Sequence, residues 1–234
     1  MLNEQEQTQN FLHSLEEIGS LLQKRSVFER VPVTLYKRAL QKSADYAEQN
    51  MLDVILFYDL SKFQMYHCAL SKLTINGYLA EFGVFEGRSI NYLAELATPN
   101  TIFGFDSFLG LEEDMPLEPK GSFNLNGILP KVRENVHLIK GLFEDTLPVW
   151  LQNNPGPFSF INIDSSTYNA ASTILNLLGP NRIVAGTHII FDEYFGFYGW
   201  ENQEFKAWKE YCLKHHVKYK YIALNDMQVL IEVL

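Results

Sequence analysis

Residues 78–89, YLAEFGVFEGRS, join a short apolar run to a loop with two glycines and then to a helix-like segment. The apolar run ends at Glu81 and Phe82, Gly83 turns the chain, and Gly87 opens the next segment. Glycine has no Cβ, so such a loop lets a ligand approach the backbone. The start of the following helix offers N–H groups that no helical carbonyl accepts. This stretch therefore predicts a strand, a ligand loop and a helix in succession.

The glycine spacing is looser than the dinucleotide fingerprint G-x-G-x-x-G, because Glu81 stands where that fingerprint has its first glycine. An acid at this place suits a zwitterionic ligand better than a pyrophosphate. An ordinary turn between a strand and a helix is the alternative, and the loop by itself does not decide between them.

The same alternation continues downstream and predicts the fold class. Short apolar runs occupy residues 78–84, 101–106, 136–141, 158–164 and 182–194, and helix-like segments occupy 88–97, 145–152, 168–178 and 200–215. Alternating strands and helices are typical of a parallel sheet covered on both faces. The last two runs, KYKYIAL and MQVLIEVL, are separated by a short ND turn and predict an antiparallel hairpin. We therefore predict an α/β fold with a doubly wound, mostly parallel sheet and a C-terminal antiparallel hairpin.

The first 75 residues have a different, helical pattern. Apolar residues recur at spacings of three and four over 11–22, and two further helices are predicted over 32–49 and 52–73. The segment 107–135 is long and rich in glycine, proline and acidic residues, so we interpret it as a functional loop or lid.

Composition excludes several classes of function. The chain has 234 residues, 47% of them hydrophobic, and a net charge of -9, which argues against a surface that follows nucleic-acid phosphates. No run of about 18 apolar residues is available to span a membrane, and the polar N-terminus does not resemble a signal peptide. Cys68 and Cys212 are too few for a disulfide framework and are expected to be buried thiols. We expect a cytoplasmic protein with neither a nucleic acid nor a membrane as partner.

Acidic residues stand at the ends of the predicted strands. Asp106 ends the second strand about twenty residues after the glycine loop, where an acid can accept both hydroxyls of a ribose. A helix cap by Asp106 or Ser107 is the alternative. Phe143 and Glu144 follow the third strand, where an adenine would stack, although a simple capping turn explains them too.

Two later strand ends carry three more acids. Asp164 follows the fourth strand, and Asp192 with Glu193 follows the fifth. The carboxyl ends of parallel strands meet at one edge of a sheet, and three carboxylates there fit an all-oxygen site for Mg²⁺. Solvated or helix-capping acids are the alternative.

Taken in order, EFGVFEGRS, FDSFLGL, KGLFEDTLP, INIDSSTY and GTHIIFDEYFGFYGW make the chain from about Gly77 to Leu234 resemble class I S-adenosylmethionine-dependent methyltransferases. The resemblance is closer to the macrocin O-methyltransferase-like group. It implies a Rossmann-like, seven-stranded sheet over residues 76–234, a helical cap and dimerisation region over 1–75, and a homo-oligomer. It also implies methylation of a small-molecule hydroxyl, such as that of a sugar or glycosylated metabolite.

The resemblance also assigns roles to individual residues. The residues that would hold the methionine part of S-adenosylmethionine are Glu81, Gly83, Gly87 and Ser89. Asp106 would bind the ribose, and the adenine would be bordered by Ser107, Phe143 and Glu144. Asp164, Asp192 and Glu193 would ligate Mg²⁺, and Asp164 would also lie beside the transferred methyl group as a cofactor-binding and catalytic residue.

One position departs from the family pattern. The family has a second acid two residues after Asp164 and uses it as general base, whereas this chain has Ser166. A serine cannot take a proton at neutral pH without a base of its own. A metal could replace the base by its Lewis acidity, or His188 could serve as a substitute base, although a buried structural histidine is the interpretation we favour for that residue. A metal-independent methyltransferase acting on nitrogen or an acidic oxygen, and a non-catalytic cofactor-binding protein, are the alternative functions.

Overall fold

The computed structural model describes residues 30–58 and 62–234. The helix predicted over residues 11–22 lies outside the described residues. The chain divides into two compact units, residues 1–38 and 39–234, and the functional features below all belong to the second. The described helices are α1 (Val31–Asn50), α2 (Phe63–Ser71), α3 (Arg88–Ala97), α4 (Phe143–Asn153), α5 (Tyr168–Leu178) and α6 (Glu204–His215). The strands are β1 (Ile55–Leu56), β2 (Tyr78–Phe82), β3 (Ile102–Asp106), β4 (Val136–Lys140), β5 (Phe158–Ile163), β6 (His188–Phe191), β7 (Tyr219–Leu224) and β8 (Val229–Val233).

All eight strands form one sheet in the order β1-β7-β8-β6-β5-β2-β3-β4. Strand β8 is antiparallel to both of its neighbours, β6 and β7, and every other pair is parallel. The predicted fold class, a mostly parallel doubly wound sheet with a C-terminal antiparallel hairpin, is confirmed. From β2 the chain moves outward through β3 and β4, then returns to the other side of β2 for β5 and β6. This reversal is the topological switch point at which open α/β sheets bind ligands.

The sheet has eight strands rather than the expected seven, because Ile55 and Leu56 form the additional strand β1. The prediction of one helix over residues 52–73 is wrong for the same reason. Ile55 and Leu56 pair with Ala223 and Leu224 of β7, and the helix in this region covers only Phe63–Ser71. The apolar spacing of Val54, Ile55 and Tyr58 fits a helix, but backbone hydrogen bonds at the free edge of the sheet outweigh this local preference.

The predicted strand over residues 182–194 is also too long, because the structure has only His188–Phe191 extended. Gly186 turns the chain with a φ of +88°, and its amide donates to the carbonyl of Val233. At the other end, the amide of Tyr194 donates to the carbonyl of Met227, which takes the chain away from β5.

Hydrophobic cores cover both faces of the sheet. One contains Phe82, Phe105, Ile163 and Phe191 under helices α4, α5 and α6, and Trp208 of α6 is fully buried in it. The other core contains residues of β2, β3, β5 and β6 that face helices α2 and α3. Both cysteines are buried free thiols, as expected. Among the described residues, no helix is long and apolar enough to cross a membrane.

Strand register aligns the residues that follow the strands. Phe82 is level with Phe105 of β3 and with Ile163 of β5, and Ile163 is level with Phe191 of β6. Asp106, Gly83, Asp164 and Asp192 therefore emerge side by side at the carboxyl edge. The segment 107–135 crosses this edge with no helix and only one isolated bridge, between Leu109 and Asn124.

Candidate active site

A cavity of about 1030 Å³ opens at the carboxyl edge of the sheet. Each of the five parallel strands β2 to β6 contributes a residue from its carboxyl end, in turn Gly83, Asp106, Gly141, Asp164 and Asp192. Ligand pockets in proteins commonly measure about 300–1,000 Å³, so this one is large enough for an extended cofactor and a second small molecule. The five strand ends that the sequence singles out thus lie around one cavity.

The glycine loop, residues 83–87, joins β2 to α3 along the cavity wall. Gly83 has a φ of +93°, and a Cβ at this position would lie 1.9 Å from the backbone oxygen of Asp164. Glycine is therefore required here by both conformation and close approach. Gly87 is the residue before α3, with a φ of +77°, and is buried outside the cavity lining. Ser89, in the first turn of α3, lines the cavity.

Asp106 holds the glycine loop in place. Its Oδ2 accepts hydrogen bonds of 2.8 Å from the backbone amides of Val84 and Phe85, and its Oδ1 accepts one of 2.7 Å from the amide of Phe108. The Ser107 hydroxyl accepts a hydrogen bond from the amide of Leu109. Both side chains thus organise their loops as capping residues do, and both also line the cavity.

Helix α4 begins at the end of β4 and brings two expected residues to the cavity. Phe143 and Glu144 stand in its first turn and line the cavity, and the residue preceding the helix is Leu142. Phe143 also packs edge-on against Phe82, with 5.8 Å between the ring centroids. The side chain of Phe143 thereby presents an aromatic surface beside the end of β3.

Glu81 lies beneath the cavity and is not part of its lining. The side chain is fully buried, and its Oε1 accepts a 2.9 Å hydrogen bond from Nδ2 of Asn162 on β5. Its Oε2 has no hydrogen-bond partner among the described residues. Burial and the nearby charge of Asp164 raise the pKa of Glu81 to about 8.

Asp164, Asp192 and Glu193 form an acid corner at one end of the cavity. The amide of Asp192 donates to the carbonyl of Ile163, which holds the ends of β5 and β6 together. Lys62, the residue before α2, reaches into this corner. Its Nζ lies 2.9 Å from Oδ2 of Asp164 and 2.6 Å from Oδ2 of Asp192.

These residues do not fit the Mg²⁺ that the resemblance implies. The Lys62 ammonium lies between the two carboxylate oxygens that would ligate an ion, and Asp192 uses its Oδ1 to accept a hydrogen bond from Gln228. Mg²⁺ needs several free oxygens at about 2.0–2.1 Å in octahedral geometry. Among the described residues, no group of three His, Cys, Asp or Glu side chains is arranged to hold a metal ion.

Burial raises the pKa of two acids in this corner, Asp164 and Glu193. Burial first, and then the charge of Asp192, raise the pKa of Asp164 to about 7. Burial and the charges of Asp164 and Asp192 raise the pKa of Glu193 to about 8. Burial acts to lower the pKa of Lys62, but the two aspartates outweigh it and raise that pKa above its ordinary value, so Lys62 stays charged.

Three residues with hydroxyl groups follow Asp164, namely Ser165, Ser166 and Thr167, and they have different roles. Thr167 caps α5 by accepting a hydrogen bond from the amide of Ala170. The Ser165 amide donates to Oε1 of Glu204 at 3.3 Å, and the Glu193 amide donates to Oε2 of Glu204 at 3.0 Å. Ser166, at the expected position of the base, lines the cavity with a φ of +64°.

His188 lies away from the cavity. It is fully buried on β6, with Nδ1 at 2.9 Å from the carbonyl oxygen of Ala69 and Nε2 at 3.8 Å from Oε2 of Glu232. The aromatic residues after the acid corner also lie outside the described cavity lining. Tyr194, Phe195 and Trp200 are buried in the core instead.

The acid corner is completed by three residues that no sequence motif indicates, namely Lys62, Gln228 and Glu204. They come from three different segments: the residue before α2, the residue before β8 and the first residue of α6. A lysine or glutamate with no local motif carries no signal of such a contact. Glu204 lies near the start of the helix predicted over residues 200–215, where an acidic residue indicates a helix terminus rather than a site.

Comparison with known proteins agrees with this architecture. A family model described as a methyltransferase domain matches residues 80–194. No curated protein sequence matches the chain. The structure of CalS11, a TDP-rhamnose 3'-O-methyltransferase of calicheamicin biosynthesis, is similar with a TM-score of 0.51 and 22% identity, covering 74% of this chain and 77% of that one.

The O-methyltransferase TomG from Streptomyces achromogenes, solved with S-adenosylmethionine, is 16% identical with a TM-score of 0.48 and covers 83% of this chain and 89% of that one. The family model and these two structures do not confirm the expected macrocin-like group. The glycine loop and all five parallel strand ends that surround the cavity fall within residues 80–194, the part of the chain that matches a methyltransferase domain.

Proposed function

We propose that the protein is an S-adenosylmethionine-dependent methyltransferase that acts on a hydroxyl group of a small molecule. The observation that carries this proposal is the single cavity to which all five parallel strand ends contribute, within the residues that match a methyltransferase domain. Its lining offers a glycine loop, strand-end acids and an aromatic side chain, which are the groups that a charged amino acid, a ribose and an adenine require.

The cofactor would lie along the ends of β2, β3 and β4. Gly83 and Ser89 border the place for its methionine part, where the first turn of α3 offers backbone N–H groups to a carboxylate. Asp106 and Ser107 stand where the ribose would bind, and Phe143 and Glu144 border the adenine. Gly87 and Glu81 support this wall from outside the lining.

When bound, S-adenosylmethionine supplies an electrophilic methyl group, and the protein has to orient the acceptor and remove its proton. Methyl transfer to a hydroxyl is an in-line displacement, so positioning provides most of the rate. Asp164 is the side chain we assign as proton acceptor in place of the family's second acid. It lines the cavity with 22% of its side chain exposed, compared with 9% for Asp192. A pKa raised to about 7 suits a base at neutral pH.

The charge of the cavity limits the class of acceptor. Eight carboxylic acids and two basic side chains, Lys62 and Arg88, line its described part. Arg88 is paired with Glu86 at 3.0 Å, and Lys62 is paired with the acid corner. A phosphorylated acceptor would meet this excess of negative charge, so we propose a neutral or cationic acceptor such as an uncharged sugar or an amino sugar. The same charge favours an amine as the methylated group, which is the second candidate function.

Binding and turnover test the proposal separately. Calorimetry with S-adenosylmethionine and with its demethylated product should show binding of both at a one-to-one ratio, and absence of binding would overturn the proposed function. Turnover is followed by mass spectrometry of neutral sugars, amino sugars and nucleotide sugars incubated with the protein and cofactor. Asp164→Asn should reduce turnover at least about a hundredfold while cofactor binding remains, since a general base contributes about 10²–10⁴-fold.

Other expectations from the sequence stay predictions. These are the helical cap and dimerisation region over residues 1–75, the homo-oligomer, the cytoplasmic location and the individual cofactor contacts. The proposed mechanism gives His188 no direct part, because its ring contacts Ala69 and Glu232 rather than the cavity.

A further inference from the structure

We infer that Lys62 takes the place of a divalent metal ion in the acid corner, so that the protein binds its ligands and works without metal. The inference goes beyond the proposed function, since it concerns which cation neutralises Asp164 and Asp192. It rests on the contacts of one side chain whose importance no sequence motif indicated.

The Lys62 ammonium occupies the place between the two aspartates. One nitrogen atom, Nζ of Lys62, is within hydrogen-bond distance of one oxygen from each aspartate, at 2.9 Å and 2.6 Å. These oxygens belong to the residues that directly follow two adjacent strands, β5 and β6, and both already contact the ammonium. An ion and the ammonium cannot both lie between them, because a metal–oxygen distance is only about 2.0–2.6 Å.

The two aspartates need a positive charge beside them. Asp164 and Asp192 lie side by side because their strands are in register, and two ionised carboxylates in a partly buried place repel each other unless a cation is near. Lys62 supplies one positive charge at the point where the two oxygens converge. The positive charge that a divalent ion would bring to this place is thus already supplied by an ammonium.

The ammonium can also bind the acceptor. A lysine ammonium has three N–H donors, and among the described residues two carboxylates accept two of them. Lys62 lines the cavity with 38% of its side chain exposed. The third N–H is therefore available to an acceptor oxygen beside Asp164. Lys62 is a positioning residue in this arrangement, and it fixes the carboxylates and offers a donor as a bound metal would offer a ligand position.

Divalent-ion binding to the cofactor-free protein tests the inference directly. Mn²⁺, followed by electron paramagnetic resonance and calorimetry, is the probe for the metal site. Wild-type protein should bind it no more tightly than Asp192→Asn does. Lys62→Met, which removes the ammonium and keeps the apolar stem, should bind Mn²⁺ at least tenfold more tightly than wild type, equivalent to about 1.4 kcal/mol. The double variant Lys62→Met, Asp192→Asn should lose this gain.

Two controls separate this result from a general effect of charge or of folding. Lys72→Met removes an exposed lysine just after α2, outside the described cavity lining, and should leave Mn²⁺ binding as in wild type. Circular dichroism melting with and without Mg²⁺ should show the ion raising the melting temperature of Lys62→Met and leaving that of wild type unchanged. If Lys62→Met does not fold, Lys62→Gln replaces it in every measurement.

The outcomes that contradict the inference are equally clear. Tight Mn²⁺ binding by wild type, or a loss of cofactor affinity when a chelator is added to wild type, would overturn it. So would a folded Lys62 variant that binds Mn²⁺ no better than wild type. The Mn²⁺ measurements need no cofactor, so an absence of S-adenosylmethionine binding would refute the proposed function and leave this inference standing.

Discussion

Asp106 and Asp164 both stand at the carboxyl end of a parallel strand and both line the same cavity, but their partners come from very different distances along the chain. Asp106 accepts hydrogen bonds from three backbone amides, two in the glycine loop and one only two residues away. Asp164 is paired with Lys62, 102 residues earlier, and lies beside Asp192 on the next strand.

This difference separates two kinds of strand-end acid. The partners of Asp106 are backbone amides, which exist whatever the side chains are, so its role follows from the course of the chain at the ends of β2 and β3. The partners of Asp164 are side chains brought together by the sheet, so its chemistry depends on which remote residues are present. An acid at a strand end therefore indicates a ligand edge, but not which cation accompanies it.

Gly83→Ala should destabilise the fold most, because Gly83 packs between the strand end that carries Asp106 and the one that carries Asp164. A Cβ here would meet the backbone oxygen of Asp164 at 1.9 Å, in a conformation with φ of +93° that other residues rarely adopt. We expect the free energy of unfolding to fall by about 3 kcal/mol or more, combining overpacking with left-handed strain.

Gly121→Ala is the matched control for that change. Gly121 has a similar φ of +87°, but a Cβ added there would meet no atom within 4 Å. It should cost only the left-handed strain, about 1–2 kcal/mol. Urea unfolding of both variants measures the difference, and equal losses would show that the close approach of Gly83 to β5 does not matter.

Asp106→Asn tests the strand-end acid whose partners are backbone amides. The amide group of asparagine offers one acceptor oxygen and opposes the remaining backbone donors with its own N–H groups, so the glycine loop loses part of its support. We expect the affinity for S-adenosylmethionine to fall about thirtyfold, or about 2 kcal/mol, by calorimetry. Asp226→Asn, at the exposed turn between β7 and β8, should leave the affinity unchanged. An Asp106 variant that binds as well as this control would contradict the assignment.

Glu81→Gln should change the stability of the folded protein least, and the size of this change should depend on pH. Burial raises the pKa of Glu81 to about 8 from the usual 4.5, so between these values the folded protein keeps a proton that the unfolded chain releases. Stability therefore falls as pH rises through this window, and the glutamine variant lacks this contribution. Asp164, Lys62 and Tyr66 also act on this carboxyl or are affected by it.

The measurement for Glu81 is the difference in melting temperature between Glu81→Gln and wild type. It should become more positive from about pH 5 to about pH 8, because wild type loses stability through this window and the glutamine variant, which cannot ionise at this position, does not. A constant difference across this range would mean that Glu81 is ionised in the folded protein throughout.

Much of the fold was predictable because its signals are local. Strands β2 to β5, the terminal hairpin and helices α3 and α5 lie close to their predicted ranges, since each has its own apolar run and its own turn residues. Strand β1 was not predictable, because Ile55 and Leu56 are extended only through pairing with β7, far along the chain. For the same reason, the spacing of apolar residues in 52–73 predicted too long a helix.

The sequence by itself determined the alternating α/β architecture, the glycine loop and the acids at the strand ends, because apolar periodicity and glycine placement act over a few residues. Only the tertiary structure decided what those acids do. Strand register sets Asp164 beside Asp192, and the approach of the residue before α2 brings the Lys62 ammonium between them. Charge pairing acts through space rather than along the chain. The same carboxylates that suggest a magnesium site in the sequence therefore bind a lysine in the folded protein.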